Sequence, residues 1–510
     1  MSRHGKRRSG ILLPVFSLPS RGGIGCFSAA AYTFLEQLAQ AGQRCWQILP
    51  LAPVGGWYSP YQPSSCFAGE PLFIDPYELR RQELLSDDDL ARYESSLGGG
   101  NPTRVHYARL IPMRTRLLRR AYSRFRPGSE FEQFCTENAS WLDDYALYSA
   151  LRDAHGGRAW PTWEAPYRYR RPQALKKFAA AAADDIRYTC WTQYEFFRQW
   201  RRLKQYANSL GIAIIGDVPI YAAYESADCW AHPDLFKLDR RLRPLATAGC
   251  PPDAFSVNGQ MWGNPLYRWA RHRQTGYRWW IERIQRNFRL YDVLRLDHFR
   301  GLIAYYSIPV GSRTAADGCW VRGPGFALLN ALRDALGPRE FIAEDLGTIT
   351  PAVRRAIRRA GFPGMKVLQF AFDGSPDNPY LLKNIEPNSV VYTGTHDNDT
   401  TCGWYRSQST SEQQLITSYI RSQSGGTAAG RKAPRFDPFS ATRALTELAM
   451  RSRADTCILP LQDLLVKGSE ARINTPATTG RNWSWRLAAD EFSEIYVEYL
   501  NTLTKESDRL

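Results

Sequence analysis

Short apolar runs that close on polar or acidic residues recur along the chain. They lie at 10–16, 45–53, 211–221, 292–299, 340–347, 365–373, 389–399 and 455–463. Each has the length and β-branched content of a buried strand. Between them the spacing of apolar positions changes to a helical period. Residues 28–43 predict a helix with a glycine stop, and 350–361 predict one that starts at Thr350-Pro351 and ends at Gly361. Buried strands alternating with helices predict a parallel sheet, and eight of them predict a (β/α)₈ TIM barrel, an α/β fold built as one domain over 1–510.

Two connections exceed a simple crossover. About 155 residues separate the second and third runs, and about 70 separate the third and fourth, far beyond ordinary loops. The first, approximately 76–205, carries charge-rich helical patterns and predicts an inserted, largely helical subdomain. The second, approximately 222–290, contains "AGCPPDAFSVNGQMWGNPLYRW" and reads as an inserted loop or subdomain over a groove.

Asp217, Asp297, Glu344 with Asp345, and Asp397 each sit at the end of one strand-like run. Parallel barrel strands deliver their C-terminal ends to one mouth, so these carboxylates are expected to converge. Such a ring suits a divalent cation, or the cleavage of a glycosidic bond by one nucleophile and one acid/base. The run "THDNDT" superficially suits a metal, but there is no EF-hand spacing and no H-E-x-x-H. Arg295 and Arg300 flank Asp297; they would repel a cation and are expected to lower the Asp297 pKa. The apolar approach to Glu344 is expected to raise its pKa. The plain alternatives are a buried salt bridge at Asp297 and a capped turn at 395–400.

Composition adds bounds. Hydrophobic residues are 44% and charged residues 23%, ordinary for a globular protein. No apolar run approaches the ~18 residues of a membrane span. The first twenty residues are basic and then briefly apolar, broken by Pro14 and Pro19, which does not fit an export signal. Ten cysteines without C-x-x-C pairs point to reduced thiols and a cytoplasmic setting. The net charge of +16 permits nucleic-acid binding, but the basic residues are spread at helix-like spacing without a zinc-finger, RRM or basic-zipper pattern, so no nucleic-acid or membrane partner is expected. Aromatic residues, 13% of the chain, pack cores and also stack on sugar faces.

The ordered motifs "AGQRCWQILPLAP", "SPYQPSSCFAGEPLFID", "GDVPIY", "PPDAFSVNGQMWGNPLY", "RLDHFRG", "AEDLG", "GTHDNDT" and "PLQDLLVKGSEARINTPATTGRNWSWR" closely resemble the 4-α-glucanotransferases of the amylomaltase (disproportionating enzyme) family, glycoside hydrolase family 77. The resemblance runs essentially end to end. It implies transfer of an α-1,4-glucan segment to the 4-hydroxyl of a glucose or glucan acceptor, by a retaining double displacement without metal or cofactor. An α-amylase-like hydrolase with the same carboxylates is the alternative. Implied substrates are maltooligosaccharides and glucans from starch or glycogen. By residue, the resemblance implies Asp297 as nucleophile, Arg295 as its orienting partner, Glu344 as acid/base and Asp397 as the third carboxylate. It implies sugar contacts at His298, His396, Tyr61, Asp217, Trp262 and Asn474, and an arch over the groove at Phe255. The chain departs from the family pattern at Cys26, Cys66, Glu70, Ala477 and Arg481, the last two standing where glycine is usual. These departures are expected to bear on chain-length preference, not on reaction class.

Overall fold

A computed structural model describes residues 7–98, 102–252, 257–423 and 435–510. Strands Arg8–Leu12, Cys45–Gln47, Ala213–Val218, Val293–Leu296, Glu340–Ala343, Gly364–Val367, Ser389–Tyr392 and Thr456–Pro460 form a closed barrel. Every neighbouring pair is parallel, and the strands follow chain order around the ring. The first closes on the eighth, with Arg8 opposite Thr456 and Leu12 opposite Pro460. Each of the eight apolar runs thus holds one barrel strand.

Alternation along the strands explains the closure. Leu12, Cys45, Ile215, Val293, Ile342, Met365, Val367, Val390, Tyr392 and Ile458 form one buried cluster fed by all eight strands, which is the filled lumen. The alternate residues, such as Ile11, Trp46, Ile214 and Leu294, join the larger core beneath the outer helices. Helix Ala29–Gln40 follows the first strand. Helix Pro351–Ala360 has the ends its sequence predicts: Thr350 Oγ1 accepts the Val353 N–H at 3.4 Å, and Gly361 caps the far end at φ +72°.

The connection between the second and third strands carries helices that include Asp87–Leu97, Tyr107–Arg124, Ser129–Ala154 and Ala183–Ser209. The last returns to the barrel wall, where Trp200 donates to the Leu290 carbonyl at 2.9 Å and packs with Phe27. The next connection differs from a loop. Strands Ala246–Cys250 and Gln260–Pro265 pair antiparallel, and Ala304–Pro309 and Cys319–Arg322 complete a four-stranded sheet beside the barrel mouth. These strands are short and partly solvated, and their pairing is bulged between Thr247 and Gly249. The alternation that marks a strand is therefore too brief to read in the sequence.

One glycine positions the site. A Cβ on Gly216 would lie 2.1 Å from the Tyr291 ring, whose hydroxyl accepts the Leu51 N–H at 3.1 Å. The ring thus fixes the residue before Asp217. Gly216→Ala is expected to lower stability by about 1–3 kcal/mol through overpacking, and to reduce activity by moving Asp217. Urea unfolding midpoints and turnover check this; an unchanged midpoint would show that the ring can yield.

Candidate active site

The site is built on strand register. Asp217 and Arg295 are directly opposed on the third and fourth strands, and both point inward. Arg295 Nη1 meets Asp217 Oδ2 at 2.6 Å and Asp297 Oδ1 at 3.0 Å, and its Nε lies 3.4 Å from Met365 Sδ. The guanidinium is 4% exposed, the Asp217 side chain 0% and the Asp297 side chain 27%. Arg295 therefore stands beneath Asp297 and joins it to a carboxylate one layer deeper.

Glu344 follows the fifth strand as Asp297 follows the fourth, and the preceding residues Leu296 and Ala343 are register partners. Both Glu344 oxygens accept backbone N–H groups: Oε2 from His298 and Oε1 from Leu346, each at 2.7 Å. His298 takes φ +49°, the left-handed region that non-glycine residues rarely occupy, and so turns its N–H toward Glu344. Asp345 faces away, accepting the Met365 N–H at 2.7 Å. It belongs to the barrel wall.

The other side of the mouth comes from the loop after the seventh strand. Asp397 Oδ1 accepts from Asn474 at 2.6 Å, and its carbonyl accepts from Arg472 at 2.7 Å. Buried Asp463, at the end of the eighth strand, accepts from the Thr393 hydroxyl and from the N–H and hydroxyl of Thr401, at 2.5–2.7 Å. It clamps both ends of the loop that carries His396 and Asp397. The His396 ring stacks on Tyr61, with centroids 5.1 Å apart and planes at 12°, and Trp483 packs against both. Tyr61 donates to Asp217 Oδ2 at 2.7 Å and closes the circuit back to Arg295. Trp262 meets His298 edge to face at 4.9 Å, and Gln62 ties the Trp262 carbonyl to the Tyr61 loop.

Asp297, Glu344, Asp397, Arg295, His298, His396, Tyr61, Asp217, Trp262 and Asn474 thus share one mouth, with Asp217 as its floor. Phe255 lies outside the described residues. Asp463, Arg472 and Trp483 were missed as site residues. Asp463 alone carried a usable signal, since it too closes a strand-like run. Among the described residues no group of three or more His, Cys, Asp or Glu side chains could hold a metal ion.

Burial sets the protonation. It pushes the Glu344 carboxyl upward, against Arg295 and the two backbone donors, which pull it down. It pushes Asp297 upward as well; Arg295 opposes this, while Asp217, Glu344 and Asp397 add to it. The expectation that the flanking arginines hold Asp297 low is therefore corrected: its carboxyl is raised. The repulsion of crowded carboxylates explains part of the difference, and the position of Arg300 explains another. Its guanidinium lies over the Trp320 ring and donates to the Thr348 carbonyl, away from Asp297. Burial also opposes the charge on Arg295, but Asp217 and Asp297 outweigh it and hold the guanidinium well above its usual value. Burial pushes His298 down to about 3, with Arg300 adding to the effect, and lowers His396 against the pull of Asp397. Both imidazoles are neutral near pH 7.

Of the positions that depart from the family pattern, Cys26, Cys66 and Glu70 are buried. Glu70 is buried and accepts from the Val54 and Leu72 N–H groups, holding the loop that carries Trp57 and Tyr61. Ala477 takes φ +60° in the loop after Asn474.

Comparison with known proteins agrees with this geometry. A family model described as 4-alpha-glucanotransferase matches residues 13–491. A 4-alpha-glucanotransferase of Streptococcus pneumoniae is 43% identical over 98% of this chain and 97% of its own. One from Thermus thermophilus is 41% identical over 99% of both. The solved amylomaltase from Streptococcus agalactiae, in complex with acarbose, superposes with a TM-score of 0.92 at 36% identity, over 99% of this chain and all of that one. The chain belongs to the 4-alpha-glucanotransferase family, glycoside hydrolase family 77.

Proposed function

We propose that the chain disproportionates α-1,4-glucans by a retaining double displacement on Asp297 and Glu344. The observation that carries this reading is their placement just past register-paired residues of adjacent strands. Adjacent strands lie about 4.8 Å apart. A retaining pair needs its carboxyls about 5–5.5 Å apart, and an inverting pair needs about 6.5–9.5 Å. Neighbouring strands suit the first.

In this reading Asp297 attacks the anomeric carbon and Glu344 protonates the leaving oxygen. Burial pushes both carboxyls upward, and the ion pair from Arg295 to Asp297 Oδ1 favours the proton on Glu344. Arg295, bonded to Asp297 Oδ1, draws negative charge onto the nucleophile. In the second step Glu344 takes the proton from the acceptor 4-hydroxyl, which displaces Asp297. Asp397, steadied by Asn474, binds ring hydroxyls, and the neutral His298 and His396 donate hydrogen bonds. Asp217 is fully covered; it acts through Arg295 and Tyr61. The helical insert, approximately 76–205, and the segment at approximately 222–290 form separate subdomains that wall the mouth.

Maltooligosaccharides serve as donors, glucose and its oligomers as acceptors, and starch or glycogen supplies the glucan. The relative solved with acarbose supports a glucan-like ligand in such a mouth. A reducing, cytoplasmic setting fits ten cysteines of which no two are joined by a disulfide. No helix among the described residues is long and apolar enough to cross a membrane.

Asp297→Asn is expected to lower turnover by about four orders of magnitude with the fold intact. Glu344→Gln is expected to lose about 10²- to 10⁴-fold on maltotriose but far less in the first step with α-glucosyl fluoride, whose leaving group needs little acid help. A glucosyl adduct on Asp297 then accumulates and is read by mass spectrometry of the digested protein. Equal loss with both donors would count against an acid role.

Activity is expected to survive dialysis against a chelator, because Arg295 already supplies the positive charge paired with Asp217 and Asp297. Loss on chelation with recovery on adding calcium or magnesium would overturn this.

With maltotriose, glucose and products longer than maltotriose should form while the number of reducing ends stays constant. Water is present at about 55 M, so transfer wins only if a bound acceptor reaches an effective molarity well above that, as oriented groups can. Reducing ends rising in step with glucose, without longer products, would leave a hydrolase.

A further inference from the structure

Away from the mouth, a cavity of about 740 Å³ opens between helix Ala29–Gln40, the helical insert and the segment after Trp485. Arg21, Arg104, Arg109 and Arg486 line it. Among the described residues none of the four lies within 4 Å of a carboxylate. Arg486 is 4% exposed; its Nη2 donates to the Ser20 carbonyl at 2.5 Å, and its Nε is buried without a partner. Arg104 is held by the Glu470 and Arg481 carbonyls and the Ser484 hydroxyl, and Arg109 by the Ser96 carbonyl. Neutral acceptors fix these guanidinium groups in place but leave their charge uncancelled.

The acidic groups of the wall do not supply the counter-charge. Asp75 accepts the Tyr77 N–H and faces Arg81 at 4.0 Å, Glu94 accepts the Tyr77 hydroxyl, and Asp490 is exposed on the rim. A second feature points to the same ligand chemistry. Ser28 precedes the first turn of helix Ala29–Gln40 without a side-chain cap, and Ser28, Ala29 and Ala30 form part of the wall. The Ala31 N–H donates to the Ser28 carbonyl at 2.8 Å, which leaves the Ala29 and Ala30 N–H groups, with the positive end of the helix dipole, at this wall. Leu97, Leu110 and Phe492 supply an apolar side. The volume falls within the range of small-molecule sites.

We infer that this cavity binds a phosphate dianion, free or carried on a monoester, drawn by the arginines of its wall and the first turn of helix Ala29–Gln40. The site is distinct from the carboxylate ring, although segment 483–486 spans both: Trp483 packs on Tyr61, and Arg486 lines the cavity.

The test is calorimetric titration of the full chain with inorganic phosphate and with glucose 6-phosphate, at an ionic strength fixed with chloride and with glucose as the neutral control. Saturable binding of both anions is expected. Tighter binding of glucose 6-phosphate identifies a phosphorylated sugar, and equal binding identifies free phosphate as the ligand. The double variant Arg21→Gln, Arg109→Gln, both exposed positions, should lose about tenfold or more in affinity while keeping its turnover of maltotriose in phosphate-free buffer. Independently of any variant, phosphate should slow hydrogen exchange at Ala29 and Ala30. No saturable binding up to about 10 mM, an unchanged affinity in the double variant, or protection elsewhere than Ala29 and Ala30 would overturn the inference.

Discussion

A single guanidinium, buried inside a barrel and shared between two carboxylates, is the constraint on which the mouth depends. Arg295 cannot leave without stranding Asp217 in a place where the carboxylate has no water. Removing one member of a buried pair typically costs about 3–5 kcal/mol, much of it the penalty of the orphaned charge. Everything above inherits this rigidity. Asp297 stands on Arg295, Tyr61 hangs from Asp217, and the Tyr61 ring supports His396. The pair adds less to net stability than to precision: it sets where a carbon must lie to be attacked.

Asp297 and Glu344 are held differently by the same architecture. Asp297 rests on a cation and is partly open to solvent, whereas Glu344 is bound by two peptide N–H groups in a nearly closed corner. One of those groups belongs to His298, whose left-handed backbone costs about 1–3 kcal/mol that the surrounding fold must hold. Strain at that residue aims a donor at Glu344. It is a structural expense incurred within one residue of Asp297, at the centre of the mouth.

The barrel was legible because its strands are buried on both faces and stand out as unbroken apolar runs; even their terminal carboxylates were visible. Depth was not legible. Asp217 and Asp297 look alike in sequence, yet one is floor and the other surface, a difference set by strand register. The side sheet was hidden by its brevity and by pairing partners that lie on opposite sides of the fourth barrel strand. Arg472 and Trp483 were hidden because they act from irregular segments, whose positions only tertiary contacts fix. The sign of the Asp297 shift was misjudged because sequence neighbours suggested two arginines nearby, and Arg300 turns away. Ala477 is a different case: a side chain at φ +60° where relatives are expected to have glycine costs about 1–2 kcal/mol, and nothing in the structure explains its retention.

Closure of the ring also imposes an order on synthesis. The first strand must wait for the eighth, since Arg8 pairs with Thr456, and contacts of such long sequence separation form late in folding. A growing chain emerges with the third to fifth strands, hence Asp217, Arg295, Asp297 and Glu344, well before Asp397, Asp463 and Asn474. Ring closure, and with it the gathering of Asp217, Asp297, Glu344 and Asp397 into one mouth, therefore waits on the eighth strand.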